Sequence, residues 1–194
     1  MKVFHNQLDV NVCKKICEFV SEQLLSANSK KDPVVMWSNF SWPQHIVKDS
    51  TAVFIFVAPQ QFLSDIQQCL EQLSIFDPEK DYPLINKNDP DRSSICLVYV
   101  WTPQSYIPAH SDGKYRKTVT IYCNEWWTPE RGGILQWVDS ETKTWQELIP
   151  SCGTVVFNDK DEIHTTTPVQ GQGNFRVSLQ IFLMSPQQPA SATY

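Results

Sequence analysis

Glycine is missing from the first 112 residues of this 194-residue chain, and all six glycines fall from Gly113 onward. Glycine marks tight turns and positive-φ positions. Its absence excludes a turn-dense β architecture from the N-terminal part and predicts helices there. Its later clustering predicts short strands joined by turns. Long apolar runs are missing too: none approaches the ~18 to 20 residues of a membrane span. The segment Met1–Asn6 lacks the apolar block of a secretory signal, and no lipidation motif is found. The chain is therefore expected to be soluble and cytoplasmic, with no membrane partner. No Cys-x-x-Cys pair occurs among the six cysteines. Cys13 and Cys17 suit an apolar helix face better than a metal clip, so reduced, mostly buried thiols are expected. Positive charge is not in excess: Lys plus Arg number 16 against 21 for Asp plus Glu, a formal charge of −5. That balance argues against a general nucleic-acid binder, whose affinity rests on neutralising phosphates.

What is present is enough for a core. The chain is 41% hydrophobic and 12% aromatic, with 19% charged residues, which excludes disorder along its whole length. Its length predicts a single domain over 1–184, with helical and irregular support over 1–94, a β core over 95–184 and a flexible tail over 185–194. Asp9 is placed to cap a helix running to about Ser26, with Val12, Cys13, Ile16, Cys17, Phe19, Val20 and Leu24 at helical spacing. Residues 28–50 read as irregular, and Ala52–Ala58 as a buried strand. Pro59 sits where a second helix starts, with Phe62, Ile66, Leu70 and Leu73 as its stripe. Asp77–Ser94 is a long polar loop of the kind that forms lids. From Ile95 the pattern becomes short strands at 95–101, 118–127, 133–138, 144–149, 154–159, 164–169 and 175–184. Their spacing points to a barrel or jelly roll.

Two of the histidines, His110 and His164, stand in the β-rich part. In extended chain, residues i and i+2 share a side, so a strand end at His110-Ser111-Asp112 aims an imidazole and a carboxylate at one point. His164 completes the set if two sheets face each other. Two histidines and one carboxylate form the facial triad of non-haem Fe(II) oxygenases, with further positions open. The plainer alternative is that His110 and Asp112 open a turn before Gly113 and that His164 is a satisfied, half-buried histidine. Arg176 interrupts an otherwise apolar strand. Facing inward it needs an anion, and a carboxylate ligand satisfies it through a bidentate pair. Facing the rim it pairs with an acidic side chain. Thr120 and Tyr122 share one strand face, from which Tyr122 reaches the same carboxylate. His5 and His45 read as surface residues. Most tryptophans read as sheet packing; Trp126 and Trp127 alternate faces, so one approaches the site mouth, and Trp37 and Trp42 lie where they can line a substrate groove.

Taken in order, these pieces carry a resemblance. His110-Ser111-Asp112, then Thr120–Asn124, Gly132-Gly133-Ile134-Leu135, Pro150 with Gly153–Phe157, His164–Val169 and finally Arg176 are similar to the prolyl 4-hydroxylase-like 2-oxoglutarate and Fe(II)-dependent oxygenases. The resemblance covers about residues 95–184. It implies a mainly β fold with flanking helices, a double-stranded β-helix (jelly roll, cupin-like) with the N-terminal helices packed on one sheet. It implies that His110, Asp112 and His164 bind Fe(II), and that Arg176 pairs with the far carboxylate of 2-oxoglutarate. Tyr122 bonds near that carboxylate, and Tyr99 matches a pocket tyrosine. Trp127, Trp37 and Trp42 are candidate substrate contacts. The implied reaction uses O2, with ascorbate as reductant, to hydroxylate an unactivated C–H bond while 2-oxoglutarate is oxidised to succinate and CO2. The retained Asp112 favours hydroxylation over halogenation. The implied partner is a prolyl residue in a peptide or protein. A free amino acid or other small metabolite is the alternative substrate, and a non-catalytic cupin-like module holding metal or anion is the alternative class. The chain departs from the family pattern before Thr118, where the usual arginine is matched only loosely by Arg116 or Lys117, and in the longer gap between His164 and Arg176.

Overall fold

Periodicity of apolar residues shapes each element in the computed structural model, which describes residues 1–27, 35–36, 53–84, 94–112, 117–158 and 162–184. Trp37, Trp42, His45, Arg116 and the tail 185–194 lie outside the described residues, as does most of the irregular segment 28–50 and the later part of the loop 77–94. Strand β1 (Lys2–Phe4) opens the chain and helix α1 (Val10–Ala27) follows. The Asp9 side chain caps that helix, its Oδ1 accepting the Asn11 N–H at 2.6 Å. Then come β2 (Val35–Met36), β3 (Val53–Val57) and α2 (Gln60–Gln72), which starts after Pro59 as its sequence predicts. The C-terminal part adds β4 (Ile95–Trp101), β5 (Ile107–His110), β6 (Thr118–Tyr122), β7 (Leu135–Val138), β8 (Trp145–Leu148), β9 (Val155–Asn158), β10 (His164–Thr166) and β11 (Arg176–Phe182).

These strands form two antiparallel sheets. One has seven strands in the order β1-β9-β6-β11-β4-β3-β2, the other four in the order β5-β10-β7-β8. The chain passes repeatedly between them, and the result is the expected double-stranded β-helix. Side chains alternate along each strand, so each sheet face has its own chemistry. Val98, Val100, Val119, Ile121, Leu179 and Ile181 turn outward and join Cys13, Ile16 and Val20 of α1 and Phe62, Ile66 and Leu70 of α2 in the main core. Helices thus cover the outer face of the larger sheet. The intervening residues Tyr99, Trp101 and Tyr122 turn inward, into two smaller clusters between the sheets.

All six cysteines are free thiols, and burial pushes Cys96 up to about 12 and Cys69 up to about 11. Among the described residues no helix is long and apolar enough to cross a membrane.

Several strand ends differ from the sequence expectation, and three of the differences have a visible cause. The strand expected over 118–127 stops at Tyr122. Beyond it the Asn124 side chain takes over, accepting the Val177 N–H at 2.7 Å and donating to the Phe175 carbonyl at 2.9 Å. The strand expected over 164–169 stops at Thr166, because Pro168 has no N–H for a ladder. Val169 keeps an isolated bridge to Gly132, and its N–H and carbonyl turn to the Ser105 carbonyl and the Gln104 N–H. The strand expected from Gly133 starts at Leu135, since Gly132 and Gly133 both adopt positive φ.

Leu179 is fully buried at the centre of the larger sheet, in register with Val98 and Ile121. Leu179→Ala should cost about 2–5 kcal/mol of stability in urea denaturation, and a loss under about 1 kcal/mol would contradict this core.

Candidate metal centre and anion cage

The four-stranded sheet brings the two histidines together. His164 lies opposite His110 in the β10–β5 ladder and opposite Trp137 in the β10–β7 ladder. The two imidazole centroids are 4.3 Å apart. Each ring is turned by the carbonyl two residues before it: His110 Nδ1 is 2.9 Å from the Pro108 carbonyl and His164 Nδ1 is 2.9 Å from the Glu162 carbonyl. A carbonyl only accepts, so Nδ1 is the protonated, donating nitrogen and Nε2 keeps its lone pair. Burial, followed by the neighbouring His164, holds His110 below the ordinary imidazole value and favours its neutral form.

Both Nε2 atoms face one carboxylate. His110 Nε2 is 3.8 Å from Asp112 Oδ1, and His164 Nε2 is 3.8 Å from Asp112 Oδ2. These separations are too long for hydrogen bonds. One ligand atom from each of the three residues lies within 4.8 Å of the others. Two imidazole nitrogens and a carboxylate converging on one point are a set that a cation satisfies. Nitrogen and oxygen donors of this kind are compatible with iron.

The larger sheet contributes the opposite charge. Arg176 opens β11 and is 2% exposed, facing inward between the sheets. Its guanidinium carbon lies 4.2 Å from the Trp101 ring centroid and 5.6 Å from that of Tyr122. Trp101 is its direct partner in the β4–β11 register, and the Trp101 indole N–H donates to Ser178 Oγ at 3.2 Å. One guanidinium nitrogen donates to the Gly133 carbonyl. The Nε–H has no hydrogen-bond partner, and among the described residues no carboxylate is within ion-pair distance. The rim alternative, an Arg176 paired with an acidic side chain, does not hold. Burial pulls its pKa down to about 10, which Tyr122 partly opposes. A buried cation with an unused donor is the residue set that an incoming carboxylate fits.

The remaining candidates are distributed around this cage. Tyr122 is 2% exposed, and burial pushes its phenol up, so the hydroxyl keeps its proton. Tyr99 lies one ladder across, with Ser178 paired to both tyrosines. Trp137, opposite His164, belongs to the same buried cluster as Tyr122, which links the triad's sheet to the cage. Trp127 lies in the other inter-sheet cluster with Tyr99, Trp101 and Ile107. Only 9% of it is exposed, and its indole N–H is taken by the Gly132 carbonyl at 2.8 Å. Trp126, by contrast, is 75% exposed. Lys117 turns away to the Asp81 carboxylate, 3.0 and 2.7 Å from its two oxygens. Sequence reasoning missed three participants: Trp101 under the guanidinium, the Gly133 carbonyl, and Thr118, whose hydroxyl reaches Asp112. The first would have followed from the β4–β11 register. The other two depend on the chain path between the sheets, and no spacing signals them.

A family model described as the 2OG-Fe(II) oxygenase superfamily matches residues 80–184. A prolyl-4-hydroxylase from Pseudomonas putida has a similar fold, with a TM-score of 0.65 at 16% identity, over 95% of this chain and 91% of that one. A prolyl hydroxylase from Trichoplax adhaerens, in complex with a hypoxia inducible factor oxygen degradation domain peptide fragment, gives a TM-score of 0.67 at 14% identity, over 100% of this chain and 87% of that one. At these identities the likeness concerns the fold. Among curated proteins none matches the chain.

Gly133 tests the cage from its backbone side. Its φ is +62°, and an added Cβ would lie 3.1 Å from Arg176 Cδ and 3.2 Å from Val169 Cγ2. Gly173 also has positive φ (+79°) but has nothing within 4 Å. Gly133→Ala should lose about 1–3 kcal/mol of stability and more than Gly173→Ala in the same urea titration. Equal losses would show that Arg176 is not held against Gly133.

Proposed function

The chain belongs to the 2OG-Fe(II) oxygenase superfamily, and from that premise we propose that this Fe(II)- and 2-oxoglutarate-dependent dioxygenase hydroxylates an unactivated C–H bond of a prolyl residue in a peptide or protein. Iron bound here supplies the activation of O2 that couples oxidation of 2-oxoglutarate to succinate and CO2 with hydroxylation of the substrate. His110 and His164 offer Nε2 to the ion, and Asp112 offers its carboxylate. The Pro108 and Glu162 carbonyls hold each Nδ1–H, so the tautomer needed for coordination is set before the metal arrives.

Arg176 takes the far carboxylate of 2-oxoglutarate. The guanidinium is already desolvated and rests on Trp101, so binding adds a charge-assisted pair without exposing the cation to water. The Tyr122 hydroxyl donates to the same carboxylate, and Tyr99 lines the pocket from β4. Trp101, Trp127, Ile107 and Val169 form an apolar wall on this side, which keeps water from the anchored co-substrate. Orientation therefore comes from two fixed ends, the triad, whose histidines stand on the smaller sheet, and the cation on the larger one. The observation that carries the reading is this pairing: a three-ligand cluster on one side and, on the other, a buried arginine with no counter-charge among the described residues. The prolyl substrate is supported by the shared fold with prolyl hydroxylases, one of them holding a peptide. Trp37 and Trp42 remain the proposed contacts for that peptide.

The purified protein with Fe(II), 2-oxoglutarate, ascorbate and air should release succinate slowly, and faster with a proline-containing peptide. Free amino acids and small metabolites form the parallel arm; stimulation by these alone would replace the prolyl reading and leave the chemistry standing. Asp112→Ala should bring succinate to background. Arg176→Leu should raise the KM for 2-oxoglutarate about 10- to 150-fold, the loss expected for hydrogen bonds to a charged group. No succinate under any of these conditions would favour a metal- or anion-holding module without turnover.

A further inference from the structure

We propose that Thr118 is the positioning residue for the metal-binding carboxylate: its hydroxyl holds Asp112 through Oδ2 and so presents the carboxylate to the ion. The proposal rests on the triad reading above and extends it to a residue on the opposite sheet.

The three ligands are not held alike. His110 and His164 sit on paired strands, each with its ring fixed by a backbone carbonyl. Asp112 lies two residues past the end of β5 and belongs to no strand. Among the described residues its side chain has one hydrogen-bond donor, Thr118 Oγ1, at 2.8 Å from Oδ2. Thr118 is suited to the task because it cannot move. It opens β6, is 3% exposed, and pairs with Asn158 of β9 on one side and Phe182 of β11 on the other. The bond therefore ties a ligand at the end of the smaller sheet to an interior strand of the larger one.

The direction of the bond follows from chemistry. An ionised carboxylate only accepts, and a threonine hydroxyl has one proton to give. That proton occupies a lone pair of Oδ2 and stops rotation about the terminal carboxylate torsion, which is otherwise broad. In the held orientation Oδ1 faces the His110 nitrogen and Oδ2 the His164 nitrogen. Without the hydroxyl, the ligand must be ordered by the metal itself, and affinity falls.

The test uses the metal-free full chain and Mn(II) without co-substrate, free Mn(II) being read by electron paramagnetic resonance. Thr118→Val keeps the shape and the β-branch that suits a strand; it should bind Mn(II) about 10- to 100-fold more weakly, as for loss of a partner that orients a ligand, while Thr118→Ser stays within about threefold of the parent. Co(II) absorption should report the same change, altered in the valine variant and restored in the serine one. Melting temperatures of the metal-free variants establish that they fold; if the valine variant is unfolded, Thr118→Ala is read in its place. Mn(II) affinity that is lost in Asp112→Ala but unchanged in the hydroxyl-less variant overturns this proposal alone. Failure of the parent to bind Mn(II), or parent-like binding by Asp112→Ala, overturns the triad reading and this proposal with it.

Discussion

A guanidinium sealed between two sheets, with no counter-charge among the described residues, is the constraint on which the rest of this structure depends. Burying a cation costs several kcal/mol even after relaxation. Arg176 is pulled down only to about 10, so it remains charged at neutral pH. The fold tolerates it through partial compensation. The Trp101 ring lies beneath it and the Gly133 carbonyl accepts one of its protons, while Nε is left without a partner. A packed core has no reason to keep such a group, whereas a pocket built for a carboxylate does.

The two sheets divide the chemistry. The larger sheet, stiffened by helices on its outer face, holds Arg176, Tyr122, Tyr99 and Thr118 on its inner one. The smaller sheet holds His110 and His164 on neighbouring strands. Asp112 lies between, on the smaller sheet's chain but bonded to the larger sheet's Thr118. The separation of the cation from the two histidines is therefore a property of how the sheets face each other. Such a frame suits a co-substrate that must be chelated at one end and anchored at the other, because the distance between the ends is fixed before binding.

Much of this was legible in the sequence. The strand Ile95–Trp101 agrees to the residue, since its apolar run is bounded by polar neighbours on both sides. Helix α1 agrees within one residue at its C-terminal end because Asp9 is a cap and its stripe is regular. The convergence of His110, Asp112 and His164 followed from strand periodicity and family likeness together. For Arg176 the sequence left the inward and the rim positions open, and the structure turns it inward. What escaped notice has physical causes. Strand β5 contains Pro108, which demotes a run in any reading of pattern, yet β5 is an edge strand, where proline is tolerated. Strand β1 has only three residues, too few for alternation to register. Tyr122 ends its strand because Asn124 substitutes side-chain bonds for ladder bonds, a local exchange that pattern alone does not reveal. The Thr118–Asp112 bond joins two sheets, and no one-dimensional spacing encodes it.

A crystal structure of the protein with Mn(II) and 2-oxoglutarate tests the central claim most directly. The account predicts anomalous density for the metal between His110 Nε2, His164 Nε2 and the Asp112 carboxylate, with the far carboxylate of the ligand against the guanidinium of Arg176. Metal density elsewhere, or a ligand whose carboxylates both avoid Arg176, would contradict it.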